Sequence, residues 1–67
     1  MAKIQLNGKK ILINKNFSIF DLLKKYNLNN KKIAIEHNGT IVPKFHYKKK
    51  YLKDKDKLEI VHFIGGG

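Results

Sequence analysis

The sequence predicts a single α+β domain in which one helix crosses a mixed sheet of about five strands. Three observations support this prediction. The chain has 67 residues, which suits one small domain with one thin hydrophobic core. Short apolar segments with the spacing of strands lie towards both ends, and a segment with helical spacing lies between them. Hydrophobic residues make up 42% of the chain, which is enough to fold and unlike a disordered tail.

The first two strands form a predicted hairpin. Residues 3–6 alternate between polar and apolar, and an apolar segment resumes at residues 11–13 after Asn7 and Gly8. An Asn-Gly pair readily adopts the two positive φ angles of a type I′ turn, which is the common two-residue connection between antiparallel strands.

The helix is predicted to begin after Ser18, which serves as the N-cap, with Asp21 completing a weak capping box. Asn27 is the predicted stop. The apolar face follows the i, i+3, i+4, i+7 spacing of an amphipathic helix: Ile19, Leu22, Leu23 and Tyr26. We interpret Phe17, Phe20 and Tyr26 as core residues rather than as surfaces for base stacking.

The second half of the chain is predicted to hold three more strands, at residues 33–35, 40–42 and 58–64. Asn38 and Gly39 form a second turn, and Pro43, which has no N–H to donate, should end the strand before it or lie at an edge. Residues 45–50 are irregular or one turn of helix, and residues 54–56 form a polar turn. The resulting order, β-β-α-β-β-β, is that of the β-grasp fold, the architecture of ubiquitin.

The charge of the chain is strongly positive, with fifteen lysines, no arginine, five acidic residues and a net charge of +10. Such a balance points towards nucleic acid. However, arginine is the usual residue for bidentate phosphate and guanine contacts, and the abundant Lys, Asn, Ile, Phe and Tyr all have A/T-rich codons. We therefore attribute the high lysine content to codon bias and to a need for solubility. A basic nucleic-acid-binding module remains the alternative from a different functional class.

Other chemistries find little support in the sequence. Cysteine is absent, which excludes disulfides and thiolate catalysis. The three histidines, His37, His46 and His62, lack the spacing of metal ligands, so we expect no metal site. Ser18, His62 and Asp21 could be combined into a hydrolase triad only on paper, because Ser18 has a better-supported role as a helix cap. No apolar segment is long enough to cross a membrane.

The last strand and the residues after it form the candidate site. Leu58 and Ile60 should face the core, while Val61 and Phe63 should point to the opposite side of the sheet. We expect Val61, Phe63 and Ile64 to form a docking patch for a partner protein. The tail that follows, Gly65, Gly66 and Gly67, lacks side chains and could pass through a narrow channel in that partner.

The reactive group at such a tail is the terminal carboxylate, which is ionised and inert at neutral pH. Adenylation by ATP would convert it into an acyl donor. The activating machinery would then belong to the partner, so we expect this chain to be a protein co-substrate rather than an enzyme.

Two segments of the chain resemble the ThiS family, the sulfur carrier proteins of thiamine biosynthesis. They are residues 38–44, Asn-Gly-Thr-Ile-Val-Pro-Lys, and residues 56–67, which end in Gly65-Gly66-Gly67. The resemblance extends over essentially the whole chain and implies one β-grasp carrier domain over residues 1–67, with a flexible tail at 65–67. The sister carrier of molybdopterin synthesis shares the tail chemistry and is the closest alternative.

The resemblance also implies roles for partners and site residues. A ubiquitin-activating-type (E1-like) enzyme, ThiF, would adenylate Gly67. A sulfur-delivering enzyme would then supply the sulfur that converts the acyl adenylate to a thiocarboxylate, 1-thioglycine. Thiazole synthase, ThiG, would take the sulfur. The chain itself would bind no cofactor, because the E1-like enzyme uses the ATP. We expect it to bind neither nucleic acid nor a membrane. The cytoplasm, or a plastid stroma, is the expected compartment.

Two residues depart from the family pattern. Lys44 follows the Val-Pro pair where many members have arginine, which weakens the case for a bidentate contact there. Lys55 occupies a position that is often glycine in the turn before the last strand. If that position requires a positive φ, a lysine there costs stability.

Overall fold

The computed structural model describes residues 1–62 apart from the side chain of Asn30; residues 63–67 lie outside it. The elements follow the predicted order. The five strands are β1 (Ala2–Leu6), β2 (Lys9–Ile13), β3 (Ile33–His37), β4 (Thr40–Ile41) and β5 (Lys57–His62), and the helix α1 spans Ile19–Lys25. Two short 3-10 helices, Asn30–Lys32 and Lys44–His46, lie in the connections.

The strands form one mixed sheet in the order β2-β1-β5-β3-β4. The last strand therefore lies at the centre. It runs parallel to β1, with Leu6 opposite Leu58, and antiparallel to β3, with Ile35 opposite Ile60. This arrangement, with a single helix between the first hairpin and the later strands, confirms the predicted β-grasp fold.

Both predicted Asn-Gly turns are confirmed by their backbone angles. Asn7 and Gly8 have φ of 49° and 82°, and Asn38 and Gly39 have φ of 51° and 87°. The first turn joins β1 to β2 and the second joins β3 to β4, and positive φ at both turn residues matches the twist of the flanking strands.

The helix begins and ends where its capping residues predict. The Ser18 Oγ accepts the Asp21 N–H at 3.0 Å, and the Asp21 carboxylate accepts the Ser18 N–H at 3.0 Å, which completes the capping box. Asn27 has a φ of 55°, and the N–H of Leu28 donates to the carbonyl of Leu23 at 2.9 Å. These are the contacts of a Schellman motif.

The prediction that Tyr26 belongs to the apolar helix face is wrong, since its side chain is 42% exposed. The helix ends at Lys25, and the left-handed turn at Asn27 redirects the chain. As a result Leu28, rather than Tyr26, packs against the core at this end of the helix. Phe17 and Phe20 are half-buried and pack against the core as predicted.

The core lies between α1 and one face of the sheet. It is built from the inward residues of the strands, the buried face of the helix and three residues of the later connections: Ala2, Ile4, Ile13, Ile19, Leu22, Leu23, Ile33, Ile35, Val42, Tyr47, Leu52, Leu58 and Ile60. The opposite face of the sheet carries no packed element within residues 1–62 and is called the open face below.

β4 is shorter than predicted. β4 ends at Ile41, because Val42 turns into the core while its N–H donates to the Ile35 carbonyl at 2.9 Å. Pro43 follows and caps the 3-10 helix that begins at Lys44. β5 is described as far as His62, so the predicted extension to residue 64 lies outside the described residues. Within residues 1–62, the structure contains no helix with the length and hydropathy of a membrane span.

Candidate functional site

The last strand separates its side chains between the two faces of the sheet, as the alternation predicts. Leu58 and Ile60 are buried in the core. Val61 lies on the open face and is 59% exposed. The other residues of the predicted docking patch and tail, Phe63, Ile64, Gly65, Gly66 and Gly67, lie outside the described residues.

The open face places apolar and acidic side chains side by side around Val61. Val61 is paired with Ala34 on β3, and Glu59 is paired with Glu36. Glu36 is paired in turn with Ile41 on β4, whose side chain is exposed. We call Ala34, Ile41 and Val61 the open-face patch; it adjoins two carboxylates and lies beside the segment that leads to the tail.

The β1 side of the last strand is supported by an asparagine side chain. β1 ends at Leu6, and the next residue, Asn7, begins the turn into β2. The Asn7 Oδ1 accepts the N–H of Ile60 at 2.6 Å, and its Nδ2 donates to the Ile60 carbonyl at 3.2 Å. Its backbone N–H donates to the Leu58 carbonyl at 2.9 Å. Asn7 thus continues the hydrogen bonding of β1 to β5 past the end of β1.

The start of the last strand is held by a polar cluster around Asp56, which is buried although the sequence predicts only a polar turn there. Its Oδ2 lies 2.7 Å from the His37 Nε2 and accepts the Lys53 N–H at 2.8 Å. Its Oδ1 accepts from the Asn38 Nδ2 at 3.1 Å, and the Asn38 Oδ1 accepts the N–H of Lys57 at 2.8 Å.

The two departures from the family pattern have different structural outcomes. Lys55 adopts a φ of 73°, so this position does require the left-handed conformation that favours glycine. Its N–H donates to the Lys3 carbonyl at 2.7 Å, which ties the turn to β1. The Lys44 ammonium donates a hydrogen bond to the Lys31 carbonyl at 3.3 Å.

The histidines of the described chain have separate environments. His37 contacts Asp56, the ring of His46 packs edge-on against Phe45, and His62 lies exposed at the end of β5. Among residues 1–62 no group of three or more His, Cys, Asp or Glu side chains could hold a metal ion. Ser18 is engaged as the helix cap, on the other side of the core from the open face.

A profile described as the ThiS family matches residues 3–67. The chain belongs to the ThiS family. Among the relatives of this ThiS-family chain is the sulfur carrier protein ThiS of Bacillus subtilis (strain 168), which is 46% identical over 65 residues, covering 96% of this chain and 98% of that protein. An uncharacterized protein ycf40 of Porphyra purpurea is 38% identical over 64 residues, covering 96% and 90%.

A third relative is larger than this ThiS-family chain. A thiazole synthase of Paramagnetospirillum magneticum is 40% identical over 65 residues, which cover 97% of this chain and only 20% of that protein. Among solved structures, the crystal structure of a thiamine biosynthesis protein (ThiS) from Geobacter metallireducens superposes with a TM-score of 0.84 at 24% identity, covering 97% of this chain and 99% of that one. This likeness supports the fold.

Sequence reasoning missed two residues that shape the site, Asn7 and Asp56. In the sequence, Asn7 already has a role as a turn residue and Asp56 as part of a polar loop, so neither suggests a further contact. Their contacts are with residues far along the chain, so hydrophobic periodicity carried no signal for them.

Proposed function

We propose that this chain is a sulfur carrier protein of thiamine biosynthesis and that Gly67 is its reactive residue. The observation that carries the proposal is the placement of β5. A central strand, anchored in the core by Leu58 and Ile60, presents Val61 on an open face, four residues before the first of three glycines. Membership of the ThiS family and the 46% identity to a protein named as a sulfur carrier support it.

The proposed chemistry takes place at the backbone terminus. A carboxylate oxygen of Gly67 attacks the α-phosphorus of ATP and pyrophosphate leaves, which produces an acyl adenylate. A sulfur nucleophile at the sulfide level then attacks the acyl carbon and displaces AMP, leaving a thiocarboxylate, 1-thioglycine. No side chain of this chain supplies a catalytic group, and ATP belongs to the partner, so the chain acts as a carrier with no cofactor of its own.

The proposed partners act in sequence on the same terminus. A ThiF-type E1-like enzyme adenylates Gly67, a sulfur-delivering enzyme supplies the sulfur, and a ThiG-type thiazole synthase consumes it. The thiazole synthase of Paramagnetospirillum magneticum supports the last assignment, because a segment similar to this chain lies within that protein. Gly65 and Gly66 would occupy the narrow approach to the active site, and Val61, Phe63 and Ile64 would form the docking contact.

The compartment follows from the same chemistry. ATP and reduced sulfur are both available in a cytoplasm or a plastid stroma, and a chain without cysteine needs no oxidising environment to fold.

The test measures adenylation of the purified chain by the E1-like enzyme of the same organism. The readout is ATP-dependent release of pyrophosphate. One alanine added after Gly67 displaces the carboxylate from the nucleotide and should abolish the reaction. The matched control adds one alanine ahead of Met1, at the opposite end of the sheet from the β5 exit, and should leave the reaction unchanged.

Two outcomes would contradict the proposal. One is continued adenylation of the C-terminally extended chain at the rate of the unmodified chain. The other is the absence, in intact-mass spectra of the chain purified from its own host, of the mass increment for sulfur replacing one terminal oxygen.

A further inference from the structure

The hydrogen bonds between Asn7 and Ile60 join residues 53 positions apart. On the β1 side, the backbone N–H and carbonyl of Ile60 face the space beyond the end of β1, where the chain has already turned towards β2. The Asn7 carboxamide fills this position with one acceptor and one donor. Within residues 1–62, the Asn7 side chain is the group that continues the hydrogen-bond ladder between β1 and β5 at the end of β5 nearest the tail.

The turn alone does not explain an asparagine here. Positive φ at this position is available to glycine at lower cost, and the next residue is itself a glycine with a φ of 82°. Asparagine adds a carboxamide, and that carboxamide is the group that reaches Ile60. Because Ile60 is buried, leaving its N–H and carbonyl without partners would carry a desolvation cost.

We propose that Asn7 is a positioning residue for the reactive terminus, because it holds the direction in which β5 leaves the sheet. This inference rests on the proposed function. Gly67 is the fifth residue after His62. A chain extends at most about 3.3–3.6 Å per residue, so the terminal carboxylate can lie no more than about 18 Å from His62. The place and direction in which β5 leaves the sheet therefore limit which points an active site can occupy.

Removing the carboxamide leaves β5 supported on one side at its exit. β3 still pairs with this segment, with Ala34 opposite Val61 and Ile33 opposite His62. The Ile60 N–H and carbonyl on the β1 side would lose their partners. Because Ile60 is buried, they would regain hydrogen bonds to water only when the end of the strand moves outwards, so this segment would sample more directions. Docking would then have to order this segment, which weakens association, while catalysis in the docked complex proceeds as before.

The chain provides a matched control in its second Asn-Gly turn. Asn38 has nearly the same φ as Asn7, 51° against 49°, and its side chain also bonds to β5. However, the Asn38 Oδ1 accepts the N–H of Lys57, at the start of the strand. Its Nδ2 donates to the Asp56 Oδ1 at 3.1 Å. Asn38→Gly therefore removes two side-chain hydrogen bonds, as Asn7→Gly does, but at the end of β5 away from the tail.

The experiment measures thermal unfolding, amide exchange at Ile60, and the KM and kcat of adenylation for Asn7→Gly and Asn38→Gly. Both variants should unfold at lower temperature. Only Asn7→Gly should speed exchange of the Ile60 amide beyond the global change. It should also raise KM by about three- to tenfold, with kcat unchanged, because docking must then order the end of β5.

Equal KM values for Asn7→Gly and Asn38→Gly would overturn the inference and reduce Asn7 to a purely structural residue. The unmodified chain separates this inference from the proposed function. If the unmodified chain is not adenylated, the proposed function fails; if it is adenylated and the two glycine variants behave alike, only the positioning role fails.

Discussion

The His37 Nε2 lies 2.7 Å from the Asp56 Oδ2 and so joins the end of β3 to the residue that precedes β5. Burial by itself raises the pKa of the Asp56 carboxyl, but hydrogen bonds from His37, the Lys53 N–H and Asn38 outweigh it. The net effect is a pKa below the usual value of 3.8. The ionised carboxylate therefore stabilises the fold.

The first prediction concerns Asp56→Asn. A carboxylate with a lowered pKa in the folded state contributes stability that is present above the unfolded-state pKa and is lost as pH falls through the folded-state pKa. At neutral pH, Asp56→Asn should lower the free energy of unfolding by about 1–3 kcal/mol, because the amide cannot accept all three hydrogen bonds. Urea unfolding between neutral pH and about pH 3 measures both the loss and the flatter acid dependence expected of the variant.

Asp54→Asn is the control for this experiment. Asp54 lies in the same turn but is exposed, and it accepts one hydrogen bond, from the Lys3 N–H at 2.8 Å. Its substitution should cost less stability. If the two variants lost equal stability and kept equal acid dependence, the polar cluster around Asp56 would not be the stabilising feature described here.

The second prediction concerns Lys55→Gly. Lys55 adopts a φ of 73°, where a side chain is sterically disfavoured and glycine is not. The substitution should raise the free energy of unfolding by about 0.5–1 kcal/mol while retaining the Lys55 N–H bond to the Lys3 carbonyl. Lys53→Gly removes the same kind of side chain from the same turn, where φ is not positive, and should bring no gain. A stabilisation common to both variants would point to loss of positive charge instead.

The third prediction concerns the cross-strand pair of glutamates. Glu36 and Glu59 are directly opposite each other on the open face, and no salt bridge joins either of them to a cation within residues 1–62. Like charges in this position repel, so Glu36→Lys should stabilise the fold by about 0.5–1 kcal/mol by forming an attractive pair. Urea unfolding at low and high salt measures the gain, which should shrink as salt rises.

A double-mutant cycle isolates this pair. In a Glu59→Gln background the gain from Glu36→Lys should largely disappear, because the partner charge is gone. A gain that persists in full would show that the pair with Glu59 does not set the energy, since the net charge of +10 by itself opposes an added lysine.

The fourth prediction concerns the open-face patch. Val61→Lys should raise the KM for adenylation by about tenfold, as expected for an apolar side chain at the centre of an interface. The fold should tolerate the change to within about 0.5 kcal/mol, because the side chain is largely exposed. Leu12→Lys is the control: Leu12 is also exposed on the open face but lies on β2, at the far edge of the sheet. A folded Val61→Lys variant with the KM of the unmodified chain would rule out Val61 as a docking residue.

Local features of the chain predicted most of the fold. Ser18 and Asp21 are three residues apart and reach each other within the first turn of α1, and each Asn-Gly pair sets its own positive φ angles. The alternation of Leu58, Ile60 and Val61 assigned the faces of β5 because side chains on a strand point to opposite faces in turn. These features depend on neighbours a few positions away, so they can be read from the order of residues.

The sequence by itself determined the β-grasp order of elements, the caps, the turns and the apolar strand that leads to the glycines. Only the tertiary structure placed β5 at the centre of the sheet, brought Asn7 to Ile60, buried Asp56 beside His37 and set Glu36 opposite Glu59. It also turned Tyr26 out to solvent. The physical reason is that a hydrogen bond or a charge pair depends on which distant segment lies alongside, whereas hydrophobic spacing records only which face of an element is buried.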